Sequence, residues 1–224
     1  MSISSSVHKS VLLDEVILSF SVGEDVQQEP KVVFDGTLGG AGHSGEILSR
    51  FPKVKLVACD RDVPAIERAK ETLKSFNSRF LLVHSSFSEI EQILNSQEVR
   101  EFCSNDDLKF DRILLDLGIS SDQLDSRERG FSFKSDGLLD MRMDQSQGMT
   151  ASDVVNNYSK PELIRMFKKG GVGPQALYLA NQILKRRPIH TCSELSEICQ
   201  KVYRENAIRK AKNCLLYTSP SPRD

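Results

Sequence analysis

Three aspartates and one glycine-rich segment carry the chemistry legible in this sequence. Gly39-Gly40-Ala41-Gly42-His43-Ser44-Gly45 follows the apolar run Val32 to Phe34 and opens into a helix-forming stretch. Glycine admits positive φ and lets a ligand approach the backbone closely. The amides at a helix start offer donors to an anionic group such as a carboxylate. Asp60 closes the next apolar run, at the place where an acid about 20 residues beyond such a loop accepts hydrogen bonds from ribose hydroxyls. Asp35 and Asp116 end two further apolar runs. In open α/β sheets ligands lie outside the carboxyl ends of the strands, so all three acids are expected on one rim. Together these features predict a site for a nucleoside-bearing cofactor. Gly40 to Gly45 is also a literal GxGxxG, which alone suggests a dinucleotide. Two features weigh against that: Asp35 to Gly39 separate the strand from the first glycine of the pattern, and no second mononucleotide-binding half follows. Singly, each acid would also serve as an ordinary helix N-cap.

The elements that must position these residues alternate. Val32 to Phe34, Val54 to Cys59, Phe80 to His84 and Ile113 to Asp116 read as strands; His43 to Phe51, Val63 to Phe76 and Phe87 to Ser96 read as helices. This rhythm predicts an α/β fold, a doubly wound parallel sheet with helices on both faces. The sheet is incomplete, with four strands. After Gly118 the rhythm breaks into a polar, turn-rich stretch. From Ala151 to about Asn213 the spacing turns helical, with Thr150 as an N-cap and Pro161 near a helix start. That region is expected to form an inserted helical lobe. The expected division is 1–118 for the cofactor-binding half, 119–213 for a substrate loop and helical lobe, and 214–224 as a tail foreign to the fold.

Bulk composition bounds rather than identifies. The 224 residues are 39% apolar and 27% charged, with net charge −1, as in ordinary globular chains. A nucleic-acid partner would require a local basic surface, because phosphate contacts supply much of such affinity. No apolar run reaches the length of a membrane span, so no membrane partner is expected. The amino terminus lacks the apolar core of a secretory signal and is short and Arg-poor for a transit peptide. Cys59, Cys103, Cys192, Cys199 and Cys214 form no close pair and no zinc spacing. Reduced thiols and no metal are expected.

Four blocks of sequence carry a resemblance: HKSVLLDEVI, FDGTLGGAGHS, ACDRDVPAI and ILLDLGISSDQLDSRERGFSFKSDGLLDMRMD. They resemble the MraW (RsmH) family of ribosomal RNA small-subunit cytosine-N4 methyltransferases and their mitochondrial relatives. The resemblance implies a Rossmann-like class I fold dependent on S-adenosylmethionine (SAM). It implies N4-methylation of a cytidine in 16S- or 12S-type ribosomal RNA, either free or in an assembling subunit. The family's cofactor residues fall on Gly40, Ala41, Gly42, His43, Asp60, Phe87, Asp116 and Gln123. Ala41 departs from the usual glycine. Lys169 to Pro174 replaces an acidic segment of the family, and later family blocks are absent. The alternatives are a truncated, inactive chain or a methyltransferase with another substrate. A DNA amino-methyltransferase is disfavoured, since such enzymes carry a DPPY-like turn where this chain has Asp116-Leu117-Gly118-Ile119-Ser120.

SAM carries an activated methyl group, so positioning and water exclusion supply most of the expected rate gain. Asp116 is the expected acceptor for a proton of the cytosine amine. Phe131 and Phe133, with Arg129 and Arg142 nearby, are expected to hold a flipped base. For the phenylalanines, anchoring the loop to the core is an equally weighted reading. The Asp140–Asp144 run reads either as a substrate clamp or as an ion-paired structural turn, and Lys185-Arg186-Arg187 as a helix end, where cations favour the dipole, in preference to a phosphate contact. A homodimer is possible on this sequence. The expected compartment is the mitochondrial matrix for a eukaryotic source and the cytoplasm for a bacterial one.

Overall fold

The computed structural model describes residues 10–21, 30–104, 109–120, 123–124, 126–132, 136–146 and 148–210. Phe133 and residues 214–224 lie outside the described residues. The chain divides into two compact units. One comprises Met1–Ser121 with Met143–Ser146, the other Asp122–Arg142 with Gln147–Asp224. The return of Met143–Ser146 to the first unit has no announcement in the sequence.

The first unit is built on four strands: β1 (Val32–Asp35), β2 (Lys55–Asp60), β3 (Phe80–His84) and β4 (Arg112–Leu114). Their order is β3-β2-β1-β4, and every pair is parallel. Side chains alternate between faces along a strand, and both faces are covered here. Val33, Leu56 and Ala58 join a core with Phe20, Ile47, Leu48, Ile66 and Ala69. These come from α1 (Leu13–Ser21), α2 (Gly42–Arg50) and α3 (Val63–Thr72). Phe34, Val57 and Cys59 join Ile93, Val99 and Cys103 on the other side, from α4 (Ile90–Asn95) and α5 (Gln97–Cys103). The doubly wound sheet is therefore as the sequence predicts.

Element ends differ in instructive ways. The helix read as running to Phe76 stops at Thr72, and a 3-10 segment spans Lys74–Arg79. The helix read from Phe87 begins as a 3-10 turn over Phe87–Glu89. Ser86 and Glu89 cap that turn reciprocally, a pattern that satisfies two orphan backbone donors. Strand β4 ends at Leu114, so Asp116 lies beyond the strand rather than at its last position. The reason is a change of partner. The Gly36 amide donates to the Leu114 carbonyl at 3.0 Å, whereas the Asp116 amide donates to the Thr37 hydroxyl at 2.7 Å.

The second unit holds α6 (Ala151–Asn157), α7 (Lys160–Lys169), α8 (Ala176–Arg186) and α9 (Cys192–Lys210). Leu163, Leu179, Ile183, Ile189, Ile198 and Val202 form its core. Thr150 caps α6 as expected, accepting from the Asp153 amide at 3.0 Å. Arg187 donates from Nε to the Val155 carbonyl at 2.6 Å, near the end of α6. Its guanidinium is thus engaged in holding two helices. Gly130 adopts φ 73°, and a Cβ there would fall 2.6 Å from the Leu138 carbonyl. Among the described residues, no helix is long and apolar enough to cross a membrane.

Candidate functional site

The carboxyl ends of β1, β2 and β4 point the same way, so their acids share one rim. Asp35 is the buried hub of it. Its Oδ1 accepts from the Thr37 amide at 3.0 Å, and its Oδ2 accepts from the Ser44 hydroxyl at 2.6 Å. Burial pushes this carboxyl above its ordinary value of 3.8, against the opposing pull of those two donors. Next to it, burial pushes the Cys59 thiol up to about 12, with Asp35 and Asp60 adding to the effect. That thiol is inert as a nucleophile at neutral pH.

Asp60 reaches back to the glycine turn. Its Oδ2 accepts from the Gly39 amide at 2.8 Å, and its Oδ1 accepts from the Asp62 amide at 2.9 Å. A carboxylate oxygen has two lone pairs, so each oxygen retains one for a further donor. Gly40 stands exposed at the tip of the turn, with open space where a Cβ would be. Ala41 is buried and holds φ 61°, the left-handed region, at the N-cap of α2. For a residue with a Cβ that conformation costs roughly 1–2 kcal/mol, which is the physical content of the missing glycine there.

His43 sits in the first turn of α2 and is largely buried. Its Nε2 lies 2.9 Å from the Val11 carbonyl. A carbonyl only accepts, so Nε2 carries the proton and Nδ1 is left with its lone pair when the ring is neutral. Nδ1 lies 4.0 Å from Asp116 Oδ2. The Asp116 side chain is half exposed. Phe87 is also exposed, held by the capped turn after β3. In that turn the Glu89 carboxyl is lowered by the Ser85 hydroxyl and the Ser86 amide. Gly36 faces Phe87 and Leu115, and a Cβ there would fall 2.8 Å from Phe87 Cβ and 2.5 Å from Leu115 Cδ2.

The sheet unit thus gathers Gly40, Ala41, Gly42, His43, Asp60, Phe87 and Asp116 about the ends of β1, β2 and β4. Gln123, Arg129, Phe131 and Arg142 belong to the second unit. Phe131 is buried, and Arg129 lies over its ring at 6.0 Å. Arg142 pairs bidentately with Asp140, at 2.9 Å from Nε and 2.7 Å from an Nη. In this state both are occupied in building the loop, the plainer of the two readings the sequence allowed. Gln123 is buried as well. Thr37, Ser44 and Val11 were not among the expected residues. Their sequence signal is only membership of the FDGTLGGAGHS block for Thr37 and Ser44, and of the HKSVLLDEVI block for Val11.

Among the described residues, no group of three His, Cys, Asp or Glu is arranged to hold a metal. A model of the MraW methylase family matches residues 5–217. The chain belongs to the MraW methylase family. Among its relatives, ribosomal RNA small subunit methyltransferase H of Pseudarthrobacter chlorophenolicus is 42% identical over 201 residues, 87% of this chain and 58% of that protein. The protein of the same name from Picosynechococcus is 42% identical over 205 residues, 92% of this chain and 64% of that one. That from Mycoplasmopsis agalactiae is 40% identical over 196 residues, 88% of this chain and 61% of the relative. The chain therefore spans about three fifths of the length of these relatives. The MraW match includes the glycine turn, the Asp60 strand end and the Asp116 turn, which is the whole rim described above.

Proposed function

We propose that this chain takes part in SAM-dependent methylation of a cytidine N4 in small-subunit ribosomal RNA. The observation that carries the reading is the Asp60 carboxylate, bonded at 2.8 Å to the mouth of an open glycine turn. The relatives' printed names add the substrate class. The residues present fit the cofactor: Gly40 leaves room for a close approach, α2 opens with amide donors, and Asp60 retains acceptors for ribose hydroxyls. Phe87 offers an exposed ring for a purine face. When bound, SAM supplies a methyl group already activated on a sulfonium.

The chain's own residues would do the rest. The amine of cytosine is a poor nucleophile because its lone pair is delocalised into the ring. An acceptor for N4–H localises that pair and receives the proton after transfer. Asp116, half exposed beside His43 Nδ1, suits that role. The His43 Nδ1 lone pair, 4.0 Å from Asp116 Oδ2, offers a next acceptor along the path by which the proton leaves. The bacterial relatives support the cytoplasmic arm of the compartment reading and lend none to the mitochondrial one.

The test is incubation of the chain with methyl-labelled SAM and unmodified small-subunit RNA, free or in immature subunits. Label recovered in N4-methylcytidine after nuclease digestion is the expected result. Label in DNA or a metabolite, and none in RNA, would overturn the substrate assignment.

A further inference from the structure

We propose that the Thr37 hydroxyl is a positioning group for Asp116, and this inference rests on the methyl-transfer reading above. Beyond Leu114 the β4 chain leaves the sheet ladder, so nothing in the strand itself fixes where Asp116 stands. The Asp116 amide is instead captured by Thr37 Oγ1 at 2.7 Å. Thr37 is in turn held through its own amide to Asp35 Oδ1 at 3.0 Å. The second oxygen of that carboxylate takes the Ser44 hydroxyl at 2.6 Å, in the first turn of α2 beside His43. One buried carboxylate therefore fixes both the Thr37 tether and the start of the helix that carries His43. These two attachments bring His43 Nδ1 and Asp116 Oδ2 to 4.0 Å.

The tether's effect is positional more than structural. The Asp116 backbone lies in an exposed stretch, so its amide finds water when the hydroxyl is removed, and folding loses little. Orientation is a different matter. A misplacement of about 1 Å at a reacting group costs on the order of 100-fold in rate. Valine in place of Thr37 keeps the β-branched shape and removes the acceptor. Serine keeps the acceptor.

The experiment compares Thr37→Val and Thr37→Ser with the unaltered chain by two readouts. The first is exchange protection and temperature dependence of the Asp116 amide resonance. The second is methyl transfer to RNA, with SAM affinity measured separately by calorimetry. Expected for Thr37→Val are loss of amide protection, a kcat lower by about 10- to 100-fold, and SAM affinity within about threefold of the original. Thr37→Ser is expected to retain amide protection and turnover within about threefold. An Asp116 amide unchanged in Thr37→Val would overturn the tether. So would a Thr37→Ser chain that binds SAM normally yet loses turnover, and this holds even where Thr37→Val fails to fold. If the unaltered chain binds SAM but methylates no RNA, the methyl-transfer reading fails, while the amide readout still decides whether Thr37 holds Asp116.

Discussion

At the scale of single residues, Asp35 shows how a site is supported from beneath. Its carboxylate touches no expected ligand, yet it organises Thr37 and Ser44. Its carboxyl is raised above 3.8 mainly by burial, so the folded state holds that proton more tightly than the unfolded chain does. The favourable contribution is complete below pH 3.8 and is lost as pH climbs through the raised folded value. Asn at this position keeps an acceptor for the Thr37 amide and turns a donor toward Ser44, whose hydroxyl also accepts. Asp35→Asn is therefore expected to raise the melting temperature at pH 7 by a few degrees and to flatten its dependence on pH above 3.8. Thermal melts of both proteins from pH 3.5 to 8 check this, and equal slopes would show that Asp35 is not the titrating group. The acids and the glycines were legible in the sequence because a glycine turn after one strand and an acid closing the next form a joint pattern that neither makes alone. Thr37 and Ser44 were not, because a hydroxyl beside a loop has many ordinary uses and only coordinates reveal its partner.

At the scale of elements, the sheet was legible because four β-branched and aliphatic runs alternate with helical spacing. The ends were less so. Asp116 reads as strand by composition, but Thr37 captures its amide and draws it out of the ladder. The helix over Gln97–Cys103 was missed because it follows α4 after one residue, Ser96, which caps it through the Val99 amide at 3.3 Å. Packing of elements at the rim leaves little slack at Gly36. A methyl group there meets Phe87 Cβ, which cannot swing aside as the tip of Leu115 can. Gly36→Ala is expected to cost about 1–3 kcal/mol by overpacking and to shift the turn that presents Phe87. Urea unfolding measures the first effect. An unchanged midpoint would mean that the turn yields freely.

At the scale of the whole molecule, two cores share one chain. The lobe core is built around Leu163, which is fully buried. Leu163→Ala is expected to cost about 2–5 kcal/mol, with the loss confined to its own unit. Hydrogen exchange followed by mass spectrometry should show α7 and α8 exposed while β1 and β2 keep their protection. Equal loss in β2 would show that the cores are not energetically separate. The lobe's helices were legible from Thr150, Pro161 and the apolar spacing, whereas the double crossing between units was not, because adjacency in sequence says nothing of a four-residue return. That return carries Asp144, a buried carboxylate lying 3.5 Å from His84 at the end of β3 and holding the Ser146 amide. Anyone dissecting the protein inherits the problem. A fragment cut after Ser121 strips the sheet of this clasp, and the complementary fragment carries away an anion whose imidazole stayed behind. A minimal cofactor-binding module would need Met143–Ser146 grafted back through a linker, and a single cut cannot yield two intact halves.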